Sequence, residues 1–395
     1  MNINRRTLFK AGLAAAPLAA TRTAAGAAGS SGMRVTDIKT YRMPWGMLLV
    51  HVLTDQGTSG WAECSPMNAY VEEAVIQKAL RPLVIGQDPL NSGPLYDQMV
   101  FRPYKLGPQG ALANAIAGLD VAFWDIKAKL LKTTVNNLLG GAYRTRIPVY
   151  FSYGWDHKSS IEEVATLMKK QVDMGFRALK FRMAWREPAR VFTDPVDDPL
   201  EQYLVAIRKA VGDKIRLMCD INNGYTTQRA IEVGRRLKQA VNIVHYEEPT
   251  AQGDYAAMSQ VQAALPDLPI ASGEQEYTVW QYRDLIEQGN PAFVQPDMTK
   301  SGITVSRKVA AMAEAHNKQI VCHNTQPTLG TAATLHFVAS IPNGVYPQEW
   351  TGPSARLKPL YKNQLQFENG ELLLPTEPGL GLEVDEAAVE ATAEK

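Results

Sequence analysis

The sequence predicts an α/β barrel carrying a smaller α+β unit, and two observations support that reading. The first is a series of short apolar runs, each closed by a polar residue. Asp220 closes 215–219, Glu247 closes 243–246 and Glu274 closes 268–273. Asp297, His323 and Glu349 close 292–296, 319–322 and 345–348. The steps between them are 27, 27, 23, 26 and 26 residues. Each is about the length of one strand plus one helix, and helical patterns fill the gaps. The second observation is the chemistry of the closing residues. Catalytic-type side chains at successive strand C-termini describe the functional face of a (β/α)₈ barrel.

Taken in order, residues 1–32 read as an export signal. Asn4 to Lys10 contains Arg5-Arg6, a twin-arginine n-region, and Ala11 to Ala20 is apolar but short for a bilayer span. Small residues from Ala24 to Ser31 offer a cleavage site, which places the mature protein in the periplasm. Residues 33–146 form a separate α+β unit. Arg34 to Tyr41, Leu48 to Thr54 and Ser59 to Cys64 alternate like antiparallel strands, with a turn at Gln56-Gly57. Helical patterns follow over about 70–83 and 110–130. The barrel is expected over 147–354. Its first strand is Ile147 to Phe151, followed by a helix over Ile161 to Met174 and a second strand over Ala178 to Arg182. A loop from Met183 to about Pro199, with Trp185, Arg186 and Arg190, has the length of a substrate-facing insertion. Residues 355–395 return to the N-terminal unit through short strand-like pieces such as Glu371 to Leu374, and the chain after Glu383 reads as a frayed end.

The net charge of +1 and the lack of any basic stripe exclude a general nucleic-acid or membrane-surface role. Cys64, Cys219 and Cys322 make no CxxC pair and read as small buried apolar residues. Among the strand-end residues, Asp220, Glu247 and Glu274 converge as hard oxygen ligands, which is the chemistry of a Mg²⁺ site. Each alone also reads as a helix cap or a solvated strand end; the unbroken series argues for a site. Asn222 and Glu248 stand where they would orient those ligands.

These motifs resemble the mandelate racemase/muconate lactonizing enzyme branch of the enolase superfamily. The resemblance rests on Asp220-Ile221-Asn222, Tyr246-Glu247-Glu248-Pro249, Ser272-Gly273-Glu274-Gln275, Gln295-Pro296-Asp297, the strand ending in His323, Leu138 to Gly141 and Gly118 to Asp125. It implies a modified TIM barrel, (β/α)₇β, under an α+β capping domain built from the N-terminal region and the C-terminal segment. It also implies one Mg²⁺ on Asp220, Glu247 and Glu274, a His323–Asp297 dyad, a homo-oligomer and a small carboxylate substrate.

The expected chemistry is abstraction of the proton α to a carboxylate, with the metal stabilising the resulting enediolate and His323 as base. Glu349 is a candidate donor to the enediolate oxygen, or a structural ion pair. The second strand departs from the family pattern. That branch commonly carries Lys-x-Lys there, and this chain has Lys180-Phe181-Arg182. Arginine is a poor base but orients carboxylates well. With one competent base, dehydration of a sugar acid (an aldonate or aldarate) to a 2-keto-3-deoxy acid is favoured. If Lys180 serves as a second base, a racemase or epimerase results, and a cycloisomerase stays open on the same scaffold. A periplasmic sugar-acid binding protein is the non-enzymatic alternative, and it would not need the metal trio. Substrate contacts are expected from Arg42, Trp45, Arg102, Tyr104 and Lys105 in the capping region. His157 and His245 are ambiguous between site and core.

Overall fold

Three antiparallel strands form the sheet of the N-terminal region, β1 (Val35–Arg42), β2 (Leu48–Thr54) and β3 (Gly60–Glu63), with β2 and β3 buried almost throughout. The computed structural model describes residues 32–394 apart from 67, 155–157, 184–193 and 195–197. The export-signal segment, His157, Trp185, Arg186 and Arg190 therefore lie outside the described residues. Against the sheet packs α4 (Ala111–Leu130), buried along nearly its whole length. The helix expected over 70–83 is α1 (Ala69–Val75), a π-type turn over Ile76–Leu80, and α2 (Arg81–Val84). Helix α3 (Ser92–Phe101) was not anticipated, because Gly93-Pro94 reads as a breaker. In the first helical turn, however, proline gives up no intrahelical hydrogen bond. A short α5 (Val135–Leu138) leads into the barrel.

Eight parallel strands form the barrel. They are β4 (Arg146–Gly154), β5 (Ala178–Arg182), β6 (Arg216–Asp220), β7 (Tyr246–Glu247), β8 (Ile270–Ser272), β9 (Phe293–Val294), β10 (Gln319–Ile320) and β11 (Gln348–Trp350). Neighbours pair in chain order from β4 to β10, and β11 pairs with β4. The last seam, β10 to β11, is stitched by side chains, among them Gln348 and Asn324. Gln348 accepts the Cys322 N–H at 2.7 Å and donates to the Ile320 carbonyl at 3.2 Å. Among the described residues, seven α-helices lie between the strands: α6 (Ile161–Asp173), α7 (Leu200–Val211), α8 (Thr227–Val241), α9 (Tyr255–Ala264), α10 (Val279–Asp284), α11 (Gly302–Ala315) and α12 (Leu329–Ala339). This is the (β/α)₇β arrangement. Local chemistry sets several helix starts; Ser160 and Glu163, for example, form a reciprocal capping box on α6.

After the barrel, β12 (Phe367–Glu368) and β13 (Glu371–Leu373) form a hairpin, and β13 runs antiparallel to the start of β4. The end of the chain is not frayed. Helix α13 (Glu386–Thr392) starts at an Asp385 cap, buries Val389 and is held to β1 by Lys39–Glu386 at 2.8 Å. Its alanine-rich sequence hid that anchorage, which depends on residues some 350 positions away.

Buried carboxylates tie the N-terminal unit to the barrel. Asp120 on α4 accepts the backbone N–H of Thr304 at 2.8 Å and its hydroxyl at 2.5 Å, at the start of α11. The approach requires Gly302, whose φ is +70° and where a Cβ would stand 2.7 Å from Asp120 Oδ2. Glu63 on β3 does the same for α12, accepting from Gly330 N at 2.8 Å, Tyr361 OH at 3.0 Å and the Thr328 hydroxyl. Asp125 accepts from Trp61 N at 3.0 Å and Leu380 N at 2.8 Å, joining α4, β3 and the C-terminal segment. Helix N-termini favour such anions, since their first N–H groups have no partner within the helix. Cys64, Cys219 and Cys322 are buried and free. No helix among the described residues is long and apolar enough to cross a membrane.

Glu72 on α1 is also buried, but among the described residues only its Oε1 has a partner, Asn114 Nδ2 at 2.8 Å. Burial pushes its carboxyl up to about 7 from 4.5. The folded state thus holds this proton more tightly than the unfolded chain. The stabilising contribution is complete below about 4.5 and is lost as pH rises toward 7. Glu72→Gln should remove a pH-dependent loss of about 3 kcal/mol over that window, as measured by urea unfolding at several pH values. An unchanged slope would show that Glu72 does not titrate there.

Candidate functional site

Strand alternation builds the site. Positions 180 and 182 on β5, 218 and 220 on β6, and 245 and 247 at β7 face inward, and Arg182, Asp220 and Glu247 lie in register. Asp220, Glu247 and Glu274 come to the C-terminal mouth of the barrel, each almost wholly buried. Asn222 orients Asp220 by donating its backbone N–H to Oδ1 at 2.7 Å, in a left-handed turn with φ +52°. Its side chain reaches Glu248 Oε2 at 3.3 Å, and Asn223 does so at 2.7 Å. Glu247 is gripped on both oxygens. Oε1 lies 2.5 Å from Lys180 Nζ, while Oε2 meets His245 Nε2 at 2.9 Å and Gln295 Nε2 at 2.8 Å.

The electrostatics follow from burial and pairing. Burial alone would raise Glu247, but the Lys180 ammonium and His245 outweigh it and bring the carboxyl down to about 2. Asp220 has no such close partner, Lys180 being 4.0 Å away. Burial and then the charge of Glu247 push it up to about 8. Glu248 is raised well above the carboxylate range by burial and by Glu274. An excess of buried negative charge of this kind fits a divalent cation, and three carboxylates on adjacent strands are a hard-oxygen donor set suited to Mg²⁺. Among the described residues no three His, Cys, Asp or Glu side chains are already gathered as a ligand cluster. The carboxylates turn instead to Lys180, Lys300 and His323.

His323 stands between acids. Nδ1 lies 2.7 Å from Asp297 Oδ2, and Nε2 lies 3.0 Å from Glu274 Oε2 and 4.0 Å from Glu349 Oε2. Asp297 is itself fixed by the Thr299 N–H and hydroxyl, both at 2.7 Å. Burial opposes a charged imidazole, yet Glu274 and the other acids raise the basicity of His323 well above the ordinary value. The imidazole is thus held charged between Asp297 and Glu274, and Nε2 becomes free to exchange a proton when Glu274 turns away from it, with Asp297 still holding Nδ1.

Lys180 is locked. Its ammonium, 1 % exposed, sits 2.5 Å from Glu247 Oε1 and 3.0 Å from Glu349 Oε1, above the Tyr150 ring. Burial lowers its proton affinity, but Glu247 and Glu349 reverse that and hold it well above the usual value. A charged lysine bound to two acids is not a base. Glu349 is its counter-ion and also accepts the Asn324 N–H at 3.0 Å. The Arg182 guanidinium lies over Gly154, where a Cβ would stand 2.6 Å from Nη2. Glycine at the end of β4 is what gives that arginine its place.

The capping-region candidates do not gather as a group. Arg42 pairs with Glu73 at 3.0 Å and approaches Glu394 at 3.8 Å. Trp45 stacks under Arg356 at 5.4 Å, and its buried Nε1 has no hydrogen-bond partner among the described residues. Arg102, Tyr104 and Lys105 are exposed, at the end of α3 and in the turn over Tyr104–Leu106. Two site residues were missed. Lys300 is buried 3.6 Å from Glu274 Oε1, and Gln295 holds Glu247. Gln295 was legible in principle, since it stands two residues before Asp297 just past β9; nothing local marks Lys300. His245, ambiguous in sequence, is settled as a partner of Glu247.

Residues 37–140 match the family described as mandelate racemase/muconate lactonizing enzyme, N-terminal domain, and residues 163–388 match the enolase C-terminal domain-like family. A D-galactarolactone cycloisomerase of Agrobacterium fabrum is 30% identical over 87% of this chain and 90% of its own length. An arabinonate dehydratase of Saccharolobus solfataricus is 28% identical over 88% and 90%. Among solved structures, a mandelate racemase/muconate lactonizing protein from Paracoccus denitrificans complexed with magnesium aligns with TM-score 0.85 and 34% identity, covering 92% of this chain and 98% of that one. The 3,6-anhydro-D-galactonate cycloisomerase from Zobellia galactanivorans aligns with TM-score 0.81 and 28% identity, over 92% and 100%.

Lys180→Met should cost about 3 kcal/mol in urea unfolding at neutral pH without added divalent cation, because it strands Glu247 and Glu349. Adding Glu349→Gln should recover part of that loss by removing one stranded charge. Equal stability of native and Lys180→Met protein would show that the ion pairs contribute nothing net.

Proposed function

Because this chain belongs to the mandelate racemase/muconate lactonizing enzyme family of enolase-like proteins, we infer that it is an enzyme abstracting the proton α to a carboxylate, and that its reaction is dehydration of a sugar acid to a 2-keto-3-deoxy acid. One observation carries the choice of reaction. Among the described residues, His323 is the mouth imidazole aligned by a carboxylate, Asp297, while Lys180 is bound between Glu247 and Glu349. Racemisation needs a proton taken from one face and returned to the other, and Arg182 is a poor proton carrier.

Mg²⁺ held by Asp220, Glu247 and Glu274 would stabilise the negative charge that develops on the substrate carboxylate as the proton leaves. The rest falls to the chain. His323 Nε2 takes the α-proton, and Asp297 keeps Nδ1 protonated and aimed. The imidazolium then gives that proton to the departing β-hydroxyl, which leaves as water, and the enol product tautomerises to the keto acid. Arg182, a fixed cation in its glycine notch, orients substrate oxygens. The 30% identity to a cycloisomerase favours a second reading with the same base. There the leaving β-oxygen belongs to a ring of the substrate, and the product is an isomer. Export through Arg5-Arg6 to the periplasm and assembly as a homo-oligomer complete the proposal; fractionation of the full chain and light scattering test them.

Proton NMR in D₂O with Mg²⁺ and a panel of aldonates, aldarates and their lactones tests the reaction. A 2-keto-3-deoxy product, lighter by one water, is expected. An isomeric product would select the cycloisomerase, and deuterium at the α-carbon with a new diastereomer would overturn the single-base reading. His323→Asn should lower turnover by about a thousandfold while retaining Mg²⁺ affinity in calorimetry. Glu247→Gln should weaken Mg²⁺ binding by at least about tenfold, and EDTA should abolish activity reversibly.

A further inference from the structure

The opposite end of the barrel holds a cavity that the proposed reaction does not use. It has a volume of about 310 Å³ and is lined by Arg216, Lys238, Asp267, His245, Phe293 and Tyr346 among others. Arg216 opens β6, Phe293 opens β9 and Tyr346 precedes β11, so the cavity opens at the N-terminal mouth, away from Asp220 and Glu274. Above it the interior is layered. Tyr150, Ala178, Met218, Ala271, Phe293 and Val321 form an apolar cluster of their own, separate from the main core. The polar mouth residues lie over that layer.

His245 is the polar member at this depth. Its ring packs 5.4 Å from Phe293 and 6.1 Å from Tyr150, and its Nε2 reaches Glu247 Oε2 at 2.9 Å. One imidazole therefore separates the cavity from a carboxylate of the catalytic mouth. Phe293 and Tyr346, with centroids 4.5 Å apart, supply aromatic wall. The rim carries two cations, Arg216 and Lys238, against one acid, Asp267. Lys238 spends one N–H on the Ile243 carbonyl at 3.3 Å, whereas Arg216 is exposed and its planar fork matches a carboxylate. The volume is at the small end of ligand sites, which are apolar with a few placed polar groups.

We propose that this cavity is a second binding site, for a small aromatic carboxylate, with its anion on Arg216 and its ring against Phe293 and Tyr346 near His245. Occupancy would reach the catalytic mouth through the His245–Glu247 hydrogen bond, making the site an effector site rather than a substrate site.

The test needs no turnover. The chain has 6 histidines, so ring signals of the full-length protein can be followed by NMR while benzoate is titrated, with His245→Gln used for assignment. A saturable shift of the His245 signals below about 10 mM is expected. Benzamide, the neutral isostere, should bind at least about fivefold more weakly, and Arg216→Ala should weaken benzoate to a similar degree. The Arg216 dependence separates this cavity from benzoate bound at the opposite mouth. The comparison of benzoate with benzamide stands without any variant. Shifts that fail to saturate, equal binding of the two probes, or native affinity in Arg216→Ala would overturn the proposal.

Discussion

A single ammonium group makes the mouth of this barrel possible. Asp220, Glu247, Glu274 and Glu349 are all buried at one end of a closed sheet, and an unpaired carboxylate there would cost several kcal/mol. Lys180 stands among three of them, at 2.5 Å from Glu247, 3.0 Å from Glu349 and 4.0 Å from Asp220. It thereby links β5 to strands on both sides, including β11, which closes the ring. His323 and Lys300 do the same for Glu274. The residue least satisfied by this arrangement is Asp220, whose proton is held up to about pH 8 by burial and by the charge of Glu247.

The same electrostatic problem is solved differently between the two parts of the molecule. Among the described residues, the buried Asp120 and Glu63 take their hydrogen bonds from helix N-termini and hydroxyl groups. Backbone N–H groups at a helix start are fixed dipoles that no intrahelical acceptor satisfies, so the carboxylates are held without a mobile counter-ion. This docking fixes where β3 and α4 sit on α11 and α12, and hence which surface covers the barrel. A substrate-binding mouth gains from that rigidity, because its geometry depends on strands contributed by one part and loops contributed by another.

The chemistry of the mouth is asymmetric. On one side His323 is oriented by Asp297, which Thr299 in turn holds in place. On the other side stand a lysine bound to two acids and an arginine laid over Gly154. Proton transfer belongs to the first side and charge orientation to the second. That division follows from residue type as well as pairing, since His323 is also held between two acids but starts from an ordinary value of 6.5 against 10.5 for Lys180.

Much of this was legible before any coordinates. Strand-end residues at steps of about one βα unit gave the barrel, its polarity and the convergence of Asp220, Glu247, Glu274, Asp297 and His323, because a strand's side-chain period and a helix's length are local properties. Alternation also put His245 on the face of Glu247, without deciding between site and core. What the sequence could not decide was partnership. Whether Lys180 is a base or a counter-ion, whether Glu349 donates or balances charge, and where Arg42 and Trp45 point all depend on residues tens to hundreds of positions away. The C-terminal helix shows the same limit, since an Ala/Glu-rich segment is frayed or docked according to whether Lys39 meets Glu386. Local pattern determined which groups reach the mouth. Only the closed barrel, by setting the distances between them, decided what each one does there.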